Sequence, residues 1–139
     1  AEDIVAAPQG HGQRVLVVED DPSVRLLIRD VLEEVGYSAI EAGDGAAALP
    51  ILASDTAIDL MISDVGLPGI NGRQLAETAR AHRPDLPILF VTGYAENAAI
   101  RADFLGTNMA MITKPFSLDD LGRKISEILS PDTIKSRAG

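Results

Sequence analysis

Short apolar runs alternate along the chain with longer stretches of helical period. Arg14–Val18 is the first run, rich in valine and of a length that suits a strand buried on both faces. Beyond it Val24, Leu27, Ile28, Val31, Leu32 and Val35 recur at three- and four-residue intervals, the apolar stripe of an amphipathic helix. Asp21 and Pro22 mark its start, a carboxylate cap followed by proline at the first helical position, and Gly36 marks its end. Tyr37–Glu41 predicts a second strand, and Asp44-Gly45 leads into an alanine-rich helix running to about Ala53. Ile58–Ser63 predicts a third strand that ends at Asp64. The segment Asp64-Val-Gly-Leu-Pro-Gly-Ile-Asn-Gly72 holds three glycines and a proline and reads as a loop. A helix over Arg73–His82 follows, closed by Arg83-Pro84, then a strand over Pro87–Val91 and a helix over Glu96–Leu105. Met109–Ile112 is the fifth predicted strand, and Leu118–Leu129, capped by Ser117, the last helix.

Five strands alternating with five helices predict an α/β domain, a parallel sheet wound on both faces by helices. The expected domain spans 14–130. Residues 1–13, with Pro8, Gly10 and Gly12, are expected to form a flexible lead-in, and 131–139 a short tail. With no second domain after the last helix, no DNA-binding output is expected on this chain. In sheets of this class ligands bind at the carboxyl ends of the strands. The residues at those ends are therefore the ones to examine for chemistry.

Composition narrows the options. A chain of 139 residues suits one domain, and 46% hydrophobic residues can furnish one core. Aromatic residues are 4% and Trp is missing, so that core is aliphatic. The absence of cysteine rules out disulfides, thiolate catalysis and zinc–cysteine sites, and is compatible with a reducing, cytoplasmic location. A formal net charge of −9 disfavours direct binding to nucleic acid or anionic membranes. No apolar run is long enough to span a bilayer, and no secretory signal is visible.

The strand ends carry Glu19-Asp20-Asp21, Asp64, Thr92 and Lys114-Pro115. Two carboxylates about 4 Å apart repel by roughly 4 kcal/mol at an effective dielectric of about 20, so gathering Glu19, Asp20 and Asp64 calls for a cation. Oxygen-only ligands favour Mg²⁺. Asp64 is then an oxygen nucleophile beside a cation, with Lys114 as a point charge and Thr92 as a hydroxyl donor for phosphoryl oxygens. That is the equipment for forming an aspartyl phosphate. Asp21 is accounted for by helix capping. His11, in the lead-in, and His82, at a helix end, are not expected to act as phosphodonors. Met61, Met109 and Met111 are expected to fill core space on their strands.

Four segments carry a resemblance to the response-regulator receiver domain: Val15-Leu-Val-Val-Glu19-Asp20-Asp21, Asp64 to Gly72, Phe90-Val-Thr92-Gly and Thr113-Lys114-Pro115-Phe116. Each closes a predicted strand, and together the match covers about residues 14–130. The resemblance implies a flavodoxin-like fold with strand order 2-1-3-4-5 and a phosphoryl-accepting role in a two-component or phosphorelay system. It implies Asp64 as phosphoacceptor, Thr92 as the switching hydroxyl and Lys114 as the cationic partner. Mg²⁺ would be held by Glu19, Asp20, Asp64 and the backbone carbonyl of Gly66. It also implies a cis Lys114–Pro115 bond, and as donor a histidine kinase or histidine phosphotransfer protein. The chain then serves as a signalling phosphoacceptor rather than an enzyme acting on outside substrates.

Met111 departs from the family pattern, standing where an aromatic residue often takes part in switching. Gly93 stands where a small residue is expected and keeps access open, and Tyr94, two after Thr92, can shade the site. Val24 and Leu27 admit two readings, a docking surface for a histidine-bearing helical bundle or core packing. Ile100, Phe104 and Leu105 raise the same question and are expected to be core. The alternative function is a Mg²⁺-dependent phosphohydrolase, against which Gly66 speaks by standing where such enzymes carry a second acid. A flavodoxin-like nucleotide binder is disfavoured because Glu19-Asp20-Asp21 repels phosphate. Stand-alone regulator and receiver of a hybrid kinase both remain open, and the downstream partner is not encoded in these residues.

Overall fold

The computed structural model describes residues 12–67, 69–92 and 108–129. The elements are β1 (Arg14–Val18), α1 (Pro22–Glu34), β2 (Ser38–Ala42), α2 (Gly45–Ala53), β3 (Leu60–Asp64), α3 (Gly72–His82), β4 (Ile88–Thr92), β5 (Met109–Thr113) and α4 (Leu118–Leu129). The predicted helix at 96–105 lies outside the described residues, as do Gly93 and Tyr94, so four helices stand among those described. None of them is long and apolar enough to cross a membrane.

All five strands pair in parallel in the order β2-β1-β3-β4-β5. The two-residue period of a strand splits each apolar run between two cores. Val15, Val17, Leu60, Ile62, Leu89 and Val91 face one cluster, completed by Ile28, Val31 and Leu32 of α1 and Leu121, Ile125 and Leu129 of α4. Leu16, Val18, Met61, Ile88 and Phe90 face the other, completed by Ala48 and Leu52 of α2 and Leu75, Ala76 and Ala79 of α3. Each fully buried aliphatic side chain contributes about 1.5–3 kcal/mol, which is why valine, isoleucine and leucine dominate both faces.

The caps follow from local chemistry. Asp21 accepts from the Ser23 amide at 2.9 Å, Asp44 from the Ala47 amide at 2.8 Å, and Ser117 from the Asp120 amide at 3.0 Å. Asn71 and Gln74 exchange side-chain and backbone hydrogen bonds in a capping box. At the end of α1, Gly36 takes φ +97°. Its amide donates to Glu33 and the Tyr37 amide to Leu32, a Schellman motif in which Tyr37 and Leu32 share the core.

Several expectations shift. β2, β3, β4 and β5 each end one residue later than the apolar run predicts, because inter-strand hydrogen bonds continue past that run; the Glu19 amide, for example, still donates to Ala42. Leu27, placed by its spacing in the apolar stripe, is 39% exposed, whereas Val24 packs against the first cluster. Met61 is buried, but Met109 and Met111 are only half-buried, since β5 closes one edge of the sheet. Residues 100, 104 and 105 lie outside the described residues.

Candidate functional site

The carboxyl ends of β1, β3, β4 and β5 adjoin one another, so residues far apart in sequence share one rim. Asp64 closes β3 and is only 7% exposed. Its Oδ1 accepts from the Gly66 amide at 3.1 Å. Its Oδ2 lies 3.4 Å from Lys114 Nζ. Lys114 also reaches Glu19 Oε1 at 3.7 Å, bridging two acids from two strands. The Lys114–Pro115 peptide is cis, as expected. The Lys114 amide donates to the Thr92 carbonyl at 2.7 Å, which ties the end of β5 to that of β4.

Glu19, Asp20 and Asp64 each present a carboxylate oxygen within 4.8 Å of the others. Glu19 is 1% exposed and Asp20 is exposed. Glu19 Oε2 accepts from the Asp21 amide at 3.2 Å, while Oε1 is buried without a hydrogen-bond partner. Burial pushes the Glu19 carboxyl up from 4.5 to about 7; the charges of Asp64 and Asp20 add to the rise, and the Asp21 amide and Lys114 oppose it. A buried carboxylate oxygen with no hydrogen bond and only a 3.7 Å approach from Lys114 is costly in the protein alone, and a hard cation is a ligand that would satisfy it. The all-oxygen donor set fits Mg²⁺ and gives zinc no nitrogen or sulfur ligand.

Thr92, at the end of β4, is fully buried and its hydroxyl has no partner. Buried hydroxyls are normally satisfied, so an unsatisfied one at this strand end stands out. Asp21 keeps to its cap and stays outside the acidic trio. His82, at the end of α3, is exposed and distant from the rim in sequence and element; His11 lies outside the described residues. Met111, half-buried on β5, pairs in register with Phe90.

Two contributors were not legible in the sequence. An added Cβ at Gly72 would stand 2.5 Å from the Asp64 carbonyl oxygen and 2.8 Å from Val65 Cα, so only glycine lets α3 start against the Asp64 backbone. Arg25 donates to the Glu19 carbonyl at 2.8 Å. Neither shows a spacing signal, because each acts through a backbone approached in three dimensions.

Comparisons with known proteins agree with this geometry. The sequence model of the response regulator receiver domain matches residues 15–126. The sensor kinase CckA of Brucella abortus is 36% identical over 116 residues, which are 83% of this chain and 12% of that protein. The response regulator receiver protein CpdR of the same organism is 32% identical over 117 residues, 84% of this chain and 97% of that one. The crystal structure of the response regulator TrrA of Thermotoga maritima, in complex with Mg²⁺–BeF, superposes with a TM-score of 0.72 at 30% identity, covering 84% of this chain and 99% of that one. Relatives thus include proteins this chain spans almost fully and one of which it spans a small part. With its parallel sheet in the order 2-1-3-4-5, its acidic rim and these matches, the chain belongs to the response regulator receiver domain family, the phosphoacceptor modules of two-component signalling.

Proposed function

We propose that Asp64 is the phosphoacceptor, that Glu19, Asp20, Asp64 and the Gly66 carbonyl hold Mg²⁺, and that Thr92 and Lys114 bind phosphoryl oxygens. The observation that carries this reading is the convergence of three carboxylates within 4.8 Å with Lys114 Nζ 3.4 Å from Asp64. The bound metal would supply charge neutralisation for an incoming anionic phosphoryl group. The presence of Mg²⁺–BeF on the related TrrA supports that assignment.

A carboxylate oxygen of Asp64 attacks phosphorus, the bond from phosphorus to a histidine nitrogen of the donor breaks, and that imidazole takes up a proton. The Lys114 ammonium and the Thr92 hydroxyl are disposed to hold oxygens whose charge changes during transfer. Water later cleaves the acyl phosphate, restoring Asp64 and releasing inorganic phosphate. The chain's chemistry is confined to its own phosphorylation and dephosphorylation. The donor is a phosphohistidine on a kinase or phosphotransfer protein. Exposed Leu26 and Leu27 near the start of α1 support docking of a helical donor beside the site. The ATP that charges such kinases is cytoplasmic, which supports a cytoplasmic location for the domain.

The phosphohydrolase alternative gains no support. The three relatives named above carry the names of a sensor kinase and two response regulators, and Gly66 offers no second carboxylate. The direct test is Asp64→Asn. Labelling by a phosphorylated histidine donor or by acetyl phosphate should require Mg²⁺ and vanish in this variant, and labelling that persists would move the acceptor elsewhere.

A further inference from the structure

The turn that carries Glu19 and Asp20 is pinned from one side by a residue outside the acidic rim. Arg25, on the first turns of α1, donates from Nη1 to the Glu19 carbonyl at 2.8 Å. Its Nε meets Glu41 Oε1 on β2 at 3.3 Å, and the other oxygen of Glu41 is 3.4 Å from Arg29 Nη1. Glu41 pairs in register with Val17, two residues before Glu19, so the guanidinium is anchored to the strand beside the one it steadies.

The carbonyl that Arg25 holds belongs to the peptide linking Glu19 to Asp20. The Glu19 amide is bound to Ala42, the Asp21 amide to Glu19 Oε2, and the Arg25 amide to the Asp21 carbonyl. The Arg25 side chain supplies the remaining constraint, fixing the plane from which the exposed Asp20 side chain leaves. A guanidinium suits this task because its rigid fork spans a carbonyl and a carboxylate at once, which an ammonium on a flexible stem does not.

We infer that Arg25, anchored by Glu41, is a positioning residue that presets the Glu19–Asp20 turn for binding a divalent cation. The inference rests on the proposed Mg²⁺ site. It opposes what simple electrostatics predicts, since removing a positive charge beside an acidic cluster should tighten a cation site. Residues that orient metal ligands typically affect affinity by about 10- to 100-fold.

The test is Mg²⁺ titration of the whole chain, followed by amide NMR shifts and calorimetry, with urea unfolding run alongside. Arg25→Met should weaken Mg²⁺ binding roughly 10-fold despite the lost positive charge. Arg25→Lys should weaken it in the same direction with charge retained. Glu41→Gln should do so to a smaller extent, and Arg25→Met combined with Glu41→Gln should be no worse than Arg25→Met alone, since both act through one contact. Hydrogen exchange at the Asp21 and Arg25 amides should quicken in the same variants. If Arg25→Met does not fold, the Lys and Gln variants decide alone. Mg²⁺ binding that is lost in Asp64→Asn but unchanged or tighter in the Arg25 and Glu41 variants overturns the inference and leaves the metal site standing. Wild-type protein that shows no Mg²⁺ affinity dependent on Asp20 and Asp64 overturns both.

Discussion

Glu19 gives the fold a pH dependence that a single substitution isolates. Its carboxyl is buried and raised from 4.5 to about 7, chiefly by desolvation, with the charges of Asp64 and Asp20 adding to the rise. Between those values the folded state retains a proton that the unfolded chain has released. The stabilising contribution is therefore fully present below about pH 4.5 and is lost as pH rises through about 7. At about 1.36 kcal/mol per pH unit, a rise from 4.5 to about 7 corresponds to about 3 kcal/mol. Glu19→Gln is close in shape, keeps an acceptor for the Asp21 amide and stays neutral at every pH. In metal-free buffer its stability advantage over wild type should grow from under about 1 kcal/mol near pH 5 to about 3 kcal/mol near pH 8. Urea unfolding followed by circular dichroism at stepped pH measures the difference, with other carboxylates cancelling between the two proteins. An advantage that stays constant over this range, or that shrinks as pH rises, would refute the reasoning. Excess Mg²⁺ near pH 8 should narrow the gap, because a cation stabilises the ionised carboxylate and gains less from the amide.

Other perturbations separate the roles of neighbouring residues. Lys114→Met removes the ammonium lying 3.4 Å from Asp64 and 3.7 Å from Glu19. Calorimetry should then find tighter Mg²⁺ binding, while the labelling rate by a phosphodonor falls by about 10²- to 10³-fold, the usual cost of one charge-stabilising donor. Gly72→Ala drives a methyl group into the Asp64 carbonyl and should cost about 1–3 kcal/mol in urea unfolding. The same change should slow labelling of Asp64, whereas Arg73→Ala, one residue on at an exposed position, should leave both near wild type.

The sequence alone settled the alternation of strands and helices. Runs such as Val15–Val18 and Ile88–Val91 are too short for helices and apolar on both faces, which only a covered parallel sheet accommodates. Asp21 and Ser117 cap their helices through contacts two or three residues away, so their roles too could be read directly from neighbouring positions. The chemical types at the strand ends were equally plain. What they do to one another depended on strand order and register, which bring Asp64 and Lys114 within hydrogen-bond reach across 50 residues of chain. Only the packed structure decided that Glu19 is buried while Asp20 is exposed, that Leu27 lies outside the face α1 buries, and that β5, as an edge strand, half-exposes Met109 and Met111. The same holds for Gly72 against the Asp64 backbone and for Arg25 on the Glu19 carbonyl. Periodicity and capping are written in neighbouring residues, whereas burial, desolvation and close backbone approach belong to surfaces that meet only once the sheet has formed.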